Sequence, residues 1–200
     1  MALTAPVDVA TRRKAGAVPR LIHVTDAIPF SGDSDSPAMI AACERGTRVH
    51  KIAEDYDLGK PLNVEPMYAG YFVAWQMFRS TTGAEILEVE LRIEDETLGC
   101  VGTIDRIATI SGALWVLDIK TGGPWPTHGL QTACYEAMYR RARGVPVSRK
   151  IRRACVHVSG DGSYQMHEHK SLHDLNTWRA YARVAKFEIE AGLRPAPKER

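Results

Sequence analysis

The spacing of hydrophobic and polar positions along the chain predicts helices and strands in alternating blocks. Apolar residues recur every three or four positions in a first helix, which begins at the N-cap Ser36 and ends before Gly59. The same spacing predicts a second, mostly apolar helix over residues 67–79 and a closing amphipathic helix over residues 172–191. The sequence therefore predicts helices that each bury one face.

Between these helices the period of the pattern changes to two, which is typical of strands. Residues 84–93 alternate between apolar and polar and predict a half-buried strand. Its polar positions, Glu88, Glu90 and Arg92, are expected to share one face. Two apolar runs flank the turn residues Ser111 and Gly112, and the runs 151–158 and 164–169 flank another turn, so two antiparallel hairpins are predicted.

The first hairpin brings two acidic residues together. Asp105 lies near the start of its first strand and Asp118 near the end of its second, so antiparallel pairing places them side by side. Lys120 follows Asp118 by two positions and projects from the same face. Two neighbouring carboxylates repel each other unless a cation lies between them, and oxygen ligands of this kind suit Mg²⁺ or Mn²⁺. The lysine would hold and orient a water and help to deprotonate it; a surface salt bridge at a strand end is the alternative.

Six positions occur in a fixed order along the chain: Gly102, Asp105, Asp118, Lys120, Gln131 and Tyr135. This order of Gly-x-x-Asp, a hairpin, Asp-x-Lys and a helical Gln-x-x-x-Tyr resembles the PD-(D/E)xK nuclease superfamily. More narrowly, it resembles the RecB-like and short phage-type exonucleases. Upstream, Arg45-Gly46-Thr47 followed by His50 is similar to the segment on that family's first core helix.

The resemblance implies an α/β fold in which helices flank a mixed central β-sheet, with the restriction-endonuclease-like αβββαβ core. It implies that Asp105, Asp118 and Lys120 are catalytic, and that His50 joins the two aspartates as a ligand of Mg²⁺ or Mn²⁺. It also implies that Gln131 and Tyr135 contact the DNA phosphate backbone or the active-site strand; a polar pair closing the helix against the sheet is the alternative.

The function implied is that of a metal-dependent DNA nuclease, an exonuclease or an end-processing enzyme. A nucleic-acid-binding module of the same fold that has lost cleavage is the main alternative, and a phosphohydrolase acting on small nucleotides is another. Degenerate members typically lack an acid or the lysine. The presence of Asp105, Asp118 and Lys120 therefore favours an enzyme.

Several residues remain open to two interpretations. Either Glu88 or Glu90 is a candidate neighbour of the metal site, and His50, without the family pattern, would be a core histidine. Trp125 is suited to stacking on a base of a frayed end, or to burial against the next helix. A basic cluster is suited to phosphate contacts or to a solvated helix end, and its members are Arg140, Arg141, Arg143, Arg149, Lys150, Arg152 and Arg153.

Composition fits one compact domain. The 200 residues are 44% hydrophobic with a net charge of +2. We expect a flexible arm and short extended segment over residues 1–36, one nuclease domain over 37–192 and a tail over 193–200. Because no apolar run reaches membrane length and no signal peptide is evident, we expect a cytoplasmic protein without a membrane partner.

The cysteines and the missing nucleotide-binding motif limit what else the chain can do. Its four cysteines, Cys43, Cys100, Cys134 and Cys155, are scattered, so they predict small buried side chains and no iron–sulfur cluster. The sequence contains no Gly-x-x-x-x-Gly-Lys-Ser/Thr, so helicase activity would require a partner. DNA is the expected partner, together with a recombination, helicase or single-strand-binding protein.

Overall fold

The computed structural model describes residues 21–28 and 36–195. The basic arm predicted around residues 12–14 lies outside the described residues, as does most of the predicted tail. The helices are α1 (Pro37–Asp57), α2 (Ala69–Thr82, preceded by a 3₁₀ turn at Pro66–Tyr68), α3 (His128–Arg143) and α4 (Asp174–Glu190). The strands are β1 (Ile22–His23), β2 (Glu85–Asp95), β3 (Cys100–Ile110), β4 (Ala113–Lys120), β5 (Ile151–Val158) and β6 (Tyr164–Glu168).

The strands form one mixed sheet of six strands. Its order is β1-β3-β4-β5-β6, and β2 also pairs with β3. Strand β1 is parallel to β3 and β4 is parallel to β5, whereas the β2–β3, β3–β4 and β5–β6 pairs are antiparallel. The succession α1, β2, β3, β4, α3, β5 is the αβββαβ core, so the predicted fold class is confirmed.

Helices cover both faces of the sheet and divide the core in two. On one face α3 and α4 pack against the sheet around Met138 and Trp178, whose indole nitrogen donates to the Val24 carbonyl. On the other face α1 and α2 pack around Trp75 and Phe78. The site described below lies where β3 and β4 end between these two layers.

The predicted hairpin between β3 and β4 is confirmed with its register. Ser111 and Gly112 have φ angles of 51° and 75°, the left-handed values that a two-residue type I′ turn requires. Arg106 pairs with Leu117, and the same register continued by one residue sets Asp105 opposite Asp118. The turn therefore fixes which residues meet at the far end of the hairpin.

Strand β2 departs from the strict alternation that its sequence predicts. Its register against β3 shifts between Ile86 and Glu88, and Glu90 has a φ of 46°, which is uncommon for residues other than glycine. As a result Glu88 pairs with Arg143 of α3, whereas Glu90 lies beside His50 of α1. The prediction that Glu88 and Glu90 share a face is wrong, because the positive φ of Glu90 interrupts the alternation after Glu88, whereas the register shift lies before both residues.

Two expectations for burial also need correction or refinement. Cys43 is exposed, so only Cys100, Cys134 and Cys155 fit the prediction of small buried side chains. In α1 the buried positions are Val49, Ile52 and Ala53, all in its second half. Within the described part of the chain, no helix combines the length and apolar character that crossing a membrane requires.

Candidate active site

The two strands of the hairpin separate at Asp105, and its side chain takes over a backbone hydrogen bond. Asp105 is buried, and its Oδ2 accepts a hydrogen bond of 2.7 Å from the amide of Ile119. The described β3–β4 pairing runs from Ile110 and Ala113 to Arg106 and Leu117. Asp105 is thus held in one position by the neighbouring strand, at the edge of a cleft.

His50 reaches the same strand from α1. Its Nε2 lies 2.8 Å from the Ile119 carbonyl, so the ring must donate its Nε2 proton to that oxygen. The lone pair of a neutral imidazole then resides on Nδ1, which lies 3.5 Å from Asp105 Oδ2. A ring that donates one nitrogen to a backbone carbonyl and presents the other is the arrangement found around metal-bound histidines.

Glu90 completes a group of three potential ligands with His50 and Asp105. One ligand atom from each lies within 4.8 Å of the other two. Burial raises the pKa of Asp105, and burial together with the charge of Asp105 raises the pKa of Glu90. A buried and a half-buried carboxyl group that resist ionisation side by side fit a divalent cation, since a cation supplies the missing positive charge.

Asp118 lies in an adjoining network of hydrogen bonds. Its Oδ2 lies 2.7 Å from Lys120 Nζ, and its Oδ1 accepts a hydrogen bond of 2.9 Å from Gln131 Nε2. The Cys155 thiol donates to Oδ2 from 3.4 Å. Burial opposes ionisation, but the charge and hydrogen bond of Lys120 prevail and hold the pKa of Asp118 below its ordinary value. Asp118 is therefore ionised at neutral pH.

Lys120 is the positive charge of that network. Burial alone would lower its pKa, but the charges of Asp118 and Asp105 raise the pKa of Lys120 well above its ordinary value. Its Nζ also donates to Gln131 Oε1 at 3.1 Å. At neutral pH Lys120 is accordingly an ammonium group, which donates hydrogen bonds and does not accept a proton.

Gln131 and Tyr135 lie behind this network, on the buried face of α3. The Gln131 side chain accepts from Lys120 and donates to Asp118 and to the Tyr135 hydroxyl, which is 3.2 Å away. Both residues are buried. In this structure Gln131 connects α3 to the strand that carries Asp118 and Lys120, and Tyr135 contacts Gln131; contact with DNA stays a prediction for both residues.

The loop between β4 and α3 forms one border of the site. Trp125 in this loop is 56% exposed, so the alternative in which it is buried against α3 is wrong. Loop carbonyl Gly122 accepts a hydrogen bond of 2.6 Å from Nδ1 of His157. A groove of about 450 Å³ opens along α1, and it is lined by Gly46, Thr47, His50, Lys51, Glu54 and Glu90.

Most of the basic cluster is engaged in ion pairs within the chain. Arg140 and Arg153 pair with Glu136, Arg141 with Asp95, Arg143 with Glu88, and Arg152 with Glu168. These five arginines stabilise the packing of α3 and β5 against the rest of the fold. Arg149 and Lys150 are exposed and remain the members of the cluster best suited to phosphate contacts.

Sequence reasoning missed a buried ion pair beneath the site. Arg106 is fully buried, and its Nε lies 2.7 Å from Oδ2 of Asp57 at the end of α1. Its Nη1 lies 2.9 Å from Glu90 Oε1, so the same arginine holds a candidate metal ligand. The signal available in the sequence was an arginine inside an otherwise apolar strand, a position that requires a buried acidic partner.

Comparison with known proteins identifies the family of the chain. No curated protein matches the chain significantly. The solved structure titled "Crystal structure of SSO0001" is 17% identical, covers 90% of this chain and 88% of its own, and superposes with a TM-score of 0.37, a loose match. A family model described as the PD-(D/E)XK nuclease superfamily matches residues 33–200, which include every residue of the site. The chain belongs to the PD-(D/E)XK nuclease superfamily.

Proposed function

We propose that this protein is a metal-dependent deoxyribonuclease that hydrolyses phosphodiester bonds at DNA ends. The observation that carries the proposal is the convergence of His50 Nδ1, Glu90 and Asp105 within 4.8 Å of one another. The ion pair of Asp118 with Lys120 adjoins this group and supplies a second carboxylate and a fixed ammonium. The family match supports nuclease chemistry, and the choice of DNA and of its ends is the finer part of the proposal.

Mg²⁺ or Mn²⁺ is the proposed cofactor. His50, Glu90 and Asp105 would hold the ion, with Asp118 as the adjacent carboxylate and a further candidate ligand. When bound, such an ion supplies Lewis-acid activation of a phosphodiester and of the attacking water. The imidazole favours Mn²⁺ relative to a site made of oxygen ligands alone.

Lys120 is proposed to orient the attacking water and to stabilise the negative charge that develops on the phosphate. Its ammonium is fixed by Asp118 Oδ2 and Gln131 Oε1, so it keeps a defined direction without substrate. Preorganised donors of this kind typically contribute on the order of 100- to 1,000-fold to a rate. Gln131 acts through Lys120 and Asp118 and is a positioning residue.

The exposed Trp125 supports the preference for DNA ends. An exposed indole in the loop that follows Lys120 provides a stacking surface for an unpaired base, and such stacking does not depend on sequence. Ends fray, whereas bases inside a duplex stay stacked. A helicase, recombination or single-strand-binding protein that exposes such ends is the kind of partner we propose, acting in the cytoplasm.

Cleavage of matched linear and circular DNA tests the proposal. We expect release of nucleotides from end-labelled linear single- or double-stranded DNA with Mg²⁺ or Mn²⁺, and no nicking of a closed circle. A parallel RNA substrate tests the choice of nucleic acid. If circles were cut as well as linear DNA, the protein would be an endonuclease and not an end-processing enzyme. Binding of linear DNA without cutting would support the inactive binding module.

The variant Asp118→Asn tests the site itself. It removes one negative charge with almost no change in volume, and we expect cleavage to fall by at least about 100-fold while the circular dichroism spectrum is retained. Asp161→Asn is the matched control, because Asp161 is an exposed aspartate in the turn between β5 and β6. Cleavage by folded Asp118→Asn at the parent rate would overturn the assignment.

A further inference from the structure

A second cluster of potential metal ligands lies beside the active site and has a different chemistry. His128 at the start of α3 and Cys155 and His157 on β5 each offer a ligand atom within 4.8 Å of the others. Cys155 and His157 are two residues apart on one strand and so project from the same face. The cluster therefore presents two imidazoles and one thiol, and no carboxylate belongs to it.

His157 has an unused ligand atom in this cluster. Its Nδ1 donates a proton to the Gly122 carbonyl at 2.6 Å, which leaves the lone pair on Nε2. His157 is only 7% exposed, and its Nε2 is buried without a hydrogen-bond partner among the described residues. Buried polar atoms are nearly always hydrogen-bonded, so an orphan nitrogen indicates a missing partner.

The other two members of the cluster lie nearby and each makes a long hydrogen bond. The His128 and His157 rings lie 5.5 Å apart, and His128 Nδ1 accepts a long hydrogen bond of 3.3 Å from the Trp125 amide. The Cys155 thiol donates to Asp118 Oδ2. Around a tetrahedral zinc ion, ligand atoms lie roughly 3.3 to 3.6 Å apart, given Zn–N and Zn–S bonds of about 2.0 and 2.3 Å. The three ligand atoms would have to move closer to one another by on the order of 1 Å to bind such an ion.

We propose that His128, Cys155 and His157 form a second metal site, which takes a soft divalent transition metal ion and for which Zn²⁺ is the expected occupant. Thiolate and imidazole ligands select such ions, whereas Mg²⁺ prefers oxygen. Three protein ligands leave a fourth position for water. On binding, the Cys155 thiol gives up its proton to solvent and its hydrogen bond to Asp118. The proposal does not depend on cleavage activity.

Cobalt spectroscopy on the full, tag-free, reduced chain tests the proposal. We expect one equivalent of Co²⁺ to produce a near-ultraviolet thiolate-to-cobalt absorption, and Zn²⁺ to abolish it by displacement. Excess Mg²⁺ should leave the absorption unchanged. Asp105→Asn should also retain it, because the His50, Glu90 and Asp105 group contains no sulfur. Absence of the thiolate absorption in the parent protein would overturn the proposal.

Variants assign the absorption to this cluster. Cys155→Ser should lose the thiolate absorption, whereas Cys43→Ser, which alters the exposed cysteine of α1, should keep it. His157→Gln, which retains a donor for the Gly122 carbonyl, should weaken Co²⁺ binding by more than about tenfold. Melting curves establish that each variant is folded. Retention of the absorption in Cys155→Ser, or parental affinity in His157→Gln, would contradict the site.

Discussion

Both ring nitrogens of His50 contribute to its proposed role as a metal ligand. The Ile119 carbonyl accepts the Nε2 proton, and this fixes the tautomer that turns the Nδ1 lone pair toward Asp105. A histidine that merely filled the core would gain nothing from facing a carboxylate with an unprotonated nitrogen. Whether His50 is a metal ligand or a core residue, His50→Ala should lower stability. A melting temperature alone therefore does not distinguish the two roles.

The stability that a bound metal ion adds does distinguish a metal ligand from a core residue. An ion bound only by the native state at 100 times its Kd adds about 2.7 kcal/mol to the free energy of unfolding. If His50→Ala weakens binding about tenfold, the same concentration adds only about 1.4 kcal/mol. We therefore expect the variant to show a smaller rise in melting temperature with Mn²⁺, and a lesser reduction with Mg²⁺, because the lost ligand is a nitrogen.

The exposed His173 provides the control for this titration. His173→Ala should retain the full metal-induced rise, since this side chain lies on the surface at the start of α4. An undiminished metal-induced rise in the melting temperature of His50→Ala would show that His50 is a core residue and that the carboxylates bind the ion without it. Titration by differential scanning fluorimetry, with EDTA-treated protein as the reference, measures all three proteins alike.

Glu90 shows why part of the site could not be predicted at the level of single residues. Asp105, Asp118 and Lys120 follow from a hairpin register and from the alternation of one strand, both of which a sequence carries. The faces on which Glu88 and Glu90 lie depend on a register shift before Glu88 and on the positive φ angle of Glu90 itself. Neither leaves a glycine or proline in the sequence to mark it, so the alternation pattern gave the wrong face.

Among the elements, α1, α2 and β3 are joined by one carboxylate. The Asp57 side chain is fully buried, accepts from Arg106 Nε at 2.7 Å and lies 2.6 Å from Arg79 Nη1. The indole nitrogen of Trp75 donates to it as well. Because Arg106 also holds Glu90, this network connects the end of α1 to the candidate metal ligands.

Removing that carboxylate should destabilise the protein strongly. Asp57→Ala leaves the buried guanidinium of Arg106 without its principal partner, and breaking a buried pair in this way costs about 3 to 5 kcal/mol. Asp55→Ala on the same helix removes a surface pair with Lys51 and should cost at most about 1 kcal/mol. Urea unfolding of the two variants gives the comparison. Equal losses would show that burial does not control the strength of the Asp57 network.

The elements themselves were largely predictable, whereas their lateral contacts were not. The Ser36 cap, the Ser111-Gly112 turn and the apolar runs mark where helices and strands begin and end. The Asp57–Arg106 pair joins residues 49 positions apart, and five arginines of the basic cluster find acidic partners on other parts of the fold or one helical turn away. Such pairings depend on how helices cross the sheet, which local patterns do not specify.

At the level of the whole molecule, the parallel pairing of β4 with β5 determines which side chains surround Asp118 and Lys120. It sets Asp118 beside Cys155 and Lys120 beside His157. Parallel pairing requires a crossover, here through α3, but its register depends on the length of the crossover and on helix packing. The soft ligands near the site therefore could not be predicted from spacing, although both residues lie in a predicted strand.

The stability of the whole molecule should depend on pH through the proposed metal site. The pKa of Asp105 is raised by burial, and the pKa of Glu90 by burial and by its neighbour's charge, above ordinary values of about 3.9 and 4.3. A carboxyl group with a raised pKa in the folded state contributes stability below its unfolded pKa and loses it as the pH rises through the folded value. The contribution of these two carboxyl groups to the stability of the metal-free protein should accordingly fall as the pH rises above about 4. The lowered pKa values of Asp118, His128, His157 and His169 act in the opposite direction, so the effect of the pair is isolated by comparison with a variant.

Glu90→Gln tests this linkage because it removes one of the two titrating groups and keeps the size of the side chain. With EDTA present, the melting temperature of this variant should rise relative to that of the parent between about pH 5 and about pH 8. Added Mg²⁺ should stabilise the parent more at the upper end of that range, since protons no longer compete for the carboxylates. Glu94→Gln, which changes an exposed carboxylate on the same strand, should follow the parent curve. A pH dependence in Glu90→Gln equal to that of the parent would mean that Glu90 and Asp105 do not share a charge-repelling site, and the proposed ion would lose one of its three ligands.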